Sequence, residues 1–417
     1  MNHAAVPSGW KAFTLGELFE FSNGVNADKS AYGDGIPFIN VLEVIENEAL
    51  TEGDVPGRIK LAPSLAARYR VQYGDVLLNR TSETQGEVAL ASVYLGNSPV
   101  VFGGFVFRAR LKTSSLDVKY SKYALREHRV REQIIARGQG GIRANVGQRD
   151  LKTVRVSLPP IEDQRSIAES LSDVDELVKC LQNLISKKQA IKQGLLQRLL
   201  VNKDRLSSWP EKRLSELLDG LQAGVSVRSS ERAFHRVAVL KTSAVSNGRF
   251  DPTEAKPVLP ADIGRVRCSP VAGSLIISRM NTPALVGEVG YVEHDCSNLY
   301  LPDRLWLARP RRGGARRTNM RWLSYYLSSE VGSRAVRELA TGTSGSMKNI
   351  PKERLLALEV PTPPTREQDK IAEAVRDAEH EIDLLRGRLS KARAVKQGMM
   401  QQLLTGRTCL PARESAV

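Results

Sequence analysis

The chain has 417 residues with a formal net charge of +15 and a sequence pI near 9.7. That length suits two or three domains. The charge points to a polyanionic partner, most often nucleic acid, against the plainer alternative of a basic protein without one. No stretch approaches about 18 consecutive apolar residues, so no membrane span is expected. The N-terminus lacks a basic start followed by an apolar core, so no signal peptide is expected either. Cys180, Cys268, Cys296 and Cys409 are scattered without C-x-x-C spacing. This argues against a disulfide framework or zinc site and makes a reducing cytoplasm the expected location.

In chain order, residues 1–158 read as a first globular domain. Trp10 opens it, followed by Leu15-Gly16-Glu17-Leu18. The run GDVLLNR (Gly74 to Arg80) reads as a buried strand emerging into a loop, with Gly86-Glu87-Val88 shortly after. YSKYALREHRVREQI reads as an amphipathic helix. It leads into a glycine-rich loop, Arg137 to Leu151, and a strand through Val154–Leu158. Pro159-Pro160 then introduces a long helix over residues 159–203.

Residues 204–361 repeat the plan as a second domain. Trp209 and Leu214-Ser215-Glu216-Leu217 match the first opening, and GSLIISR (Gly273 to Arg279) matches GDVLLNR, both at an offset of 199. Gly287-Glu288-Val289 matches Gly86-Glu87-Val88. MRWLSYYLSSEVGSRAV reads as the second amphipathic helix, before a glycine-rich loop from Thr341 to Leu355 and a strand through Leu356–Val360. Pro363-Pro364 introduces a second long helix over residues 362–406, leaving a tail of residues 407–417.

The two long helices repeat each other without a gap at an offset of 204. Internal repetition of this kind governs the fold reading. Both carry apolar positions spaced alternately by four and three, the period of a coiled-coil seam. The first seam is Ile167, Leu171, Val174, Val178, Leu181, Ile185, Lys188, Lys192, Leu195 and Leu199. The second is Ile371, Val375, Ala378, Ile382, Leu385, Leu389, Ala392, Lys396, Met399 and Leu403. At about 1.5 Å per residue each helix would be roughly 55–60 Å long. Acidic residues crowd the start of each helix and basic residues its end. Parallel pairing would set like charge on like, and antiparallel pairing sets acid on base, so an antiparallel pair within the chain is expected. The alternative is that each helix merely covers its own domain. Lys192 and Lys396 are expected to snorkel outward or to set register, as polar seam residues can.

Several chemistries lack their motifs. There is no (N/D)-P-P-(Y/F) of an amino-methyltransferase and no G-x4-G-K-(S/T). GQGG is not a G-x-G-x-x-G turn, and the five histidines show no metal spacing. No catalytic residue, bound metal or cofactor of the chain's own is therefore expected. A self-contained DNA methyltransferase or nuclease is disfavoured on these grounds, and a protein-only coiled-coil scaffold is disfavoured by the charge.

The W-x4-L-x-E-L opening of each half, the GD-x-L-(L/I)-x-R strand, the glycine loop and the twice-occurring PP…Q…IA…KQG…LL helix resemble the specificity (S) subunits of type I restriction–modification systems, over nearly the whole length. The resemblance implies an α/β (α+β) fold with two similar target-recognition domains joined by two long antiparallel helices, as a pseudo-two-fold repeat. Each domain would read one half of a bipartite double-stranded DNA sequence, with the helices fixing the spacer. The chain would be non-catalytic. Two modification (methyltransferase) subunits would bring S-adenosylmethionine, and two restriction subunits would bring ATP and Mg. Against that background the candidate DNA contacts are Arg80, Thr81, Ser82, Arg137, Gln139, Arg143 and Asn145 in the first domain. In the second they are Arg279, Asn281, Arg311, Arg312, Arg316, Arg317, Thr343, Ser344, Lys348 and Asn349. A plainer reading stands beside this one: Asn145 and Asn349 cap a turn, and the Arg309–Arg317 stretch is a solvated loop.

Overall fold

The computed structural model describes residues 6–140, 143–201, 206–231, 236–246, 248–311, 317–342 and 347–408. It has two compact units, Met1–Gln182 with Gly387–Val417 and Asn183–Arg386. Each unit thus takes a portion of both long helices, a division that chain order alone does not give.

In the first unit a five-stranded sheet runs Phe19–Asn23, Val106–Leu111, Val76–Asn79, Ala91–Tyr94, Ala49–Leu50. Its ladders are antiparallel except the last. The Val76–Asn79 strand is buried throughout, and its first three residues are apolar because both its faces are covered. Val76 and Leu78 enter one core with Tyr120, Tyr123 and Val130, while Leu77 points into another with Ile39, Leu50 and Phe102. A smaller sheet orders Arg58–Ile59, Tyr32–Ile39, Val100–Phe102 and Arg70–Val71.

The second unit repeats this. Its main sheet runs Leu218–Ala223, Leu305–Pro310, Leu275–Ser278, Val289–Tyr291, all antiparallel. Leu275 and Ile277 face one core and Ile276 the other. Its smaller sheet orders Ala255–Pro257, Ala238–Leu240 and Leu299–Tyr300. In each unit the opening strand (Lys11–Thr14, Glu211–Arg213) pairs antiparallel with the strand before the long helix (Arg155–Leu158, Glu359–Pro361). The architecture is a mixed α+β fold occurring twice in one chain.

Four expectations about element boundaries and equivalences need correction. Each amphipathic stretch is two helices, Val118–Ala124 with His128–Ile135, and Met320–Ser328 with Glu330–Glu338. The cause is an internal cap: Glu127 accepts from the Val130 N–H at 3.2 Å, and Ser329 from the Gly332 N–H at 3.2 Å. Leu356 does not begin a strand. It ends a short helix, Lys352–Leu356, started by Pro351, and the strand is Glu359–Pro361. Gly86 is not the counterpart of Gly287. The Ala89 N–H donates to the Asn79 carbonyl and the Gly287 N–H to that of Ser278, and both residues have positive φ, 45° and 83°. Finally, the paired prolines precede the first turn rather than forming it. The Pro160 and Pro364 carbonyls accept from the N–H groups of Gln164 and Gln368 at 3.0 Å.

The long helices span Ile161–Leu200 and Thr365–Leu403. Every seam position is buried or half-buried. In the first unit Ile167, Ala168 and Leu171 share a core with Leu403 and Leu404. In the second, Leu200 shares one with Ile371, Ala372 and Val375. Within each unit the start of one helix lies with the end of the other, the antiparallel arrangement.

The seam lysines do not snorkel outward. In the first unit Lys396 Nζ lies 2.8 Å from Asp175 Oδ1, and 3.0 and 2.8 Å from the two Glu48 carboxylate oxygens. The Tyr123 hydroxyl donates to Asp175 Oδ2 at 2.7 Å, and Lys122 donates to the same oxygen. In the second unit Lys192 Nζ lies 2.6 Å from Glu379 Oε1, and the Tyr325 hydroxyl donates to Glu379 Oε2 at 2.7 Å. Lys188 pairs with Glu381 at 2.7 Å. Lys192 with Glu379 and Lys396 with Asp175 are the same pair in two copies of the repeat. Gln164 and Gln368 are equally conserved in role. Each donates to a proline carbonyl (Pro159, Pro363) at 2.9 Å and accepts the N–H that opens a helix (Asp117, Asn319) at 2.9 and 2.8 Å.

Burial pushes the Asp175 carboxyl up, but hydrogen bonds from Lys122, Lys396 and Tyr123 more than offset it and hold the group below its ordinary 3.8. A depressed carboxyl stabilises above its unfolded value and loses that contribution as pH falls through the folded one. Asp175→Asn is therefore expected to lower stability by about 1–3 kcal/mol at neutral pH. The difference from the native chain should vanish as the medium is acidified well below pH 3.8, as read by denaturant unfolding at a series of pH values. Close backbone approach gives a second prediction. A Cβ on Gly24 would sit 2.1 Å from the Gly103 carbonyl oxygen, and one on Gly224 would sit 1.6 Å from that of Leu301. Alanine at either position should cost about 1–3 kcal/mol or more in the same measurement.

Candidate nucleic-acid interface

The two short runs that leave the central strands, Arg80-Thr81-Ser82 and Arg279-Met280-Asn281, are held in the same way. The Arg80 N–H donates to the Phe105 carbonyl at 2.8 Å, and the Arg80 carbonyl accepts from the Val146 N–H at 3.3 Å. Thr81–Ser82 pairs antiparallel with Ala144–Asn145. Asn145 and Gln139 exchange backbone hydrogen bonds at 2.7 and 2.8 Å. In the second unit the Arg279 N–H donates to the Arg304 carbonyl at 2.9 Å, and its carbonyl accepts from Ile350 at 3.0 Å. Met280–Asn281 pairs with Lys348–Asn349, and Asn349 exchanges bonds with Thr341 at 2.9 and 2.8 Å. Each unit therefore has a rim of three adjacent backbone segments: a turn, a strand end and a loop.

The arginine of each rim lies over an aromatic ring. The Arg80 guanidinium is 5.9 Å from the Phe107 centroid, and that of Arg279 is 5.5 Å from Trp306. Stacking orients the guanidinium while leaving its edge able to donate. Arg80 is exposed. Arg279 is half-buried and also donates from Nε to Asn349 Oδ1 at 3.1 Å. An open hollow beside it is lined by Leu221, Ala223, Arg279, Trp306 and Lys352. The aromatic platforms were not anticipated, although Phe107 and Trp306 obey the same offset of 199 as the strands.

The remaining candidates divide. Gln139, Arg143 and Asn145 are exposed on the first rim. Asn145 and Asn349 sit in strand pairs rather than capping turns. Ser82 is buried and donates to Glu87 Oε2 at 3.3 Å. Asn281 donates to Ser278 Oγ at 3.3 Å, and Lys348 Nζ to the Gly342 carbonyl at 2.6 Å. Arg137 is spent on the domain, donating to Thr153 Oγ1 at 3.0 Å and the Gln133 carbonyl at 2.7 Å. Arg311 braces the opening helix through the Ser215 carbonyl at 3.0 Å, away from the rim residues. Arg317 is exposed. Arg312, Arg316, Thr343 and Ser344 lie outside the described residues.

Below the first rim, Asn79 is fully buried. Its Nδ2 donates to the Thr81 and Glu87 carbonyls at 3.1 and 2.9 Å, and its Oδ1 accepts from the Leu90 N–H at 2.7 Å. Arg131 supports the same loop, donating to the carbonyls of Gly86, Val88 and Ala89. Burial, with the Arg126 charge adding to it, pushes Arg131 down to about 10. In the second unit Arg337 reaches Glu288 Oε1 at 2.9 Å. Among the described residues no group of three or more His, Cys, Asp or Glu side chains could hold a metal ion, and no helix is long and apolar enough to cross a membrane.

Residues 7–192 match the family described as the type I restriction modification DNA specificity domain. Two relatives from Methanocaldococcus jannaschii align almost end to end. The type I restriction enzyme MjaVIII specificity subunit is 23% identical over 98% of this chain and 95% of its own. The putative MjaX specificity subunit is 22% identical over 96% and 94%. Among solved structures, the type I restriction–modification S subunit from M. genitalium superposes with a TM-score of 0.60 at 16% identity over 97% of both chains. A chain from a study of complex assembly and conformational transition of the type I system gives 0.57 at 16% identity, over 97% of this chain and 100% of its own. The fold is that of these solved S subunits, and the same backbone rim occurs in each of its two units. Residues 7–192 thus match the DNA specificity domain, and the chain is similar nearly end to end to specificity subunits of type I restriction–modification systems.

Asn79→Ala removes three hydrogen bonds from a buried site. It is expected to destabilise the first unit by about 2–3 kcal/mol and to speed hydrogen exchange between residues 80 and 90 selectively, as measured by mass spectrometry on the full chain.

Proposed function

We propose that this chain is the non-catalytic reading subunit of a cytoplasmic complex that methylates and restricts DNA. In this reading the first globular module recognises one half of a bipartite double-stranded sequence and the second module the other. The paired long helices fix the spacer. Two modification subunits dock on the chain and bring S-adenosylmethionine. Two restriction subunits join and bring ATP and Mg. The chain supplies sequence choice, and its partners supply the chemistry.

The observation that carries the proposal is the rim. One backbone hydrogen-bond pattern occurs in both units, with an arginine over an aromatic ring each time and different side chains around it. A duplicated reader keeps its scaffold and varies its contact loops. Base edges are read by Arg, Asn, Gln and apolar side chains set on a rigid support, whereas phosphate contacts add affinity without sequence information. The net charge of +15 suits the phosphate backbone. Docking is supported by apolar side chains left exposed on the long helices, such as Leu184 and Ile191, which share a heptad position in the second unit.

Genome-wide mapping of methylated adenines tests the reading. Replacing residues 1–158 with the corresponding module of another subunit, co-expressed with the modification subunits, should alter one half-site and leave the other half and the spacer intact. A change in both halves, or in neither, would refute the proposal.

A further inference from the structure

Each rim is bounded by a turn. In the first unit it is Gly103-Gly104-Phe105. Its backbone is fixed at every residue. Gly103 N–H donates to Ile39 at 3.0 Å, Gly104 N–H to Val25 at 2.8 Å, Val106 N–H closes onto Gly103 at 2.9 Å, and the Phe105 carbonyl accepts from Arg80. A Cβ on Gly104 would lie 1.8 Å from Asn26 Oδ1, so a side chain there would have to displace that amide. On this rigid turn Phe105 is 60% exposed. Two residues on, Phe107 is buried and carries Arg80 above it. The chain thus keeps one phenylalanine ring of this strand in the core and leaves its neighbour in solvent, beside an exposed arginine. Exposing a ring forfeits about 1.5–3 kcal/mol of burial. A ring held this rigidly also loses little conformational freedom on binding.

The second unit has Arg304 at the same place. Its carbonyl accepts from Arg279 as that of Phe105 accepts from Arg80. Arg304 is exposed, and among the described residues its side chain has no hydrogen-bond or ion-pair partner. One structural position therefore carries an exposed apolar ring in one unit and an unpaired guanidinium in the other. That difference matches two ways of reading a base edge in the major groove. An apolar side chain contacts the 5-methyl group of thymine, and a guanidinium donates to O6 and N7 of guanine.

We infer that Phe105 and Arg304 are paired specificity-determining residues. Phe105 selects a thymine in the half-site read by the first module, and Arg304 selects a guanine in the half-site read by the second. The inference rests on the reading proposed above. It adds the residues and the bases.

The test uses the full chain assembled with its modification subunits in cells, and maps methylated adenines for native, Phe105→Ala, Phe105→Arg and Arg304→Ala forms. Phe105→Ala should make one T·A position in one half-site degenerate, with discrimination falling about ten-fold or more. Phe105→Arg should install a guanine preference at that position. Arg304→Ala should make one G·C position degenerate in the other half-site. Normal methylation of the untouched half-site pattern reports that each variant is folded and assembled. Unchanged sequence preference, loss of a different base type, both changes in one half-site, or a uniform fall in methylation without any change in sequence would each overturn the inference. The module replacement separates the two levels. If it leaves both half-sites unchanged, the underlying reading fails. If it alters one half-site while Phe105→Ala is silent, only this inference fails.

Discussion

A lysine on an apolar helix seam requires an acid within reach, and this chain meets that requirement with the same repeated pair in each unit. Lys396 finds Asp175, and Lys192 finds Glu379. In each pair the carboxylate's second oxygen is taken by a tyrosine of the adjoining globular part, Tyr123 or Tyr325. One interaction thereby sets three things. It makes the helices antiparallel, because only that direction brings a late lysine to an early acid. It fixes their register, as a polar group in a seam does. It also ties the helix pair to the module, through a hydroxyl whose other end is buried in the core. An unpaired charge at these half-buried positions would cost several kcal/mol, so the arrangement tolerates no close alternative.

The modules divide labour in a similar way. A central strand buried on both faces, with Leu77 or Ile276 on one side and its neighbours on the other, cannot shift by one residue without exposing its core. Its last residue therefore emerges at a defined place. Asn79 and Arg131 then hold the following loop from beneath through main-chain groups, so its outward side chains are free to differ. Backbone hydrogen bonds do not depend on side-chain identity. This is why the rims of the two units share a pattern while presenting different chemistry.

The long helices were legible in the sequence because a heptad seam is a one-dimensional signal and the charge order carries direction. The strand runs were legible because burial on both faces writes a continuous apolar word. Other features depended on local competition. Glu127 and Ser329 split what periodicity joins, because a cap can satisfy backbone N–H groups wherever it stands. The likeness of Gly86-Glu87-Val88 to Gly287-Glu288-Val289 misled because the loops after Asn79 and Ser278 differ in length, and the ladder, not the letters, sets the equivalence. In the candidate site, the arginines at the strand ends were visible from the repeat. The commitment of Ser82, Arg137 and Arg311 to internal partners was not, since an arginine that braces a carbonyl and one that faces solvent look alike in sequence. The exposure of Phe105 was hidden for the converse reason: a phenylalanine next to a strand reads as core.

The lysine pairing also governs how the long helices can change. If the second helix slid by one heptad, Lys192 would face Arg386 or Ala372, and Lys396 would face Gln182 or Ala168. Neither direction offers either lysine an acid. The number of residues from Asp175 to Lys192 equals that from Glu379 to Lys396. Two segments far apart in the gene thus carry one and the same spacing between acid and lysine.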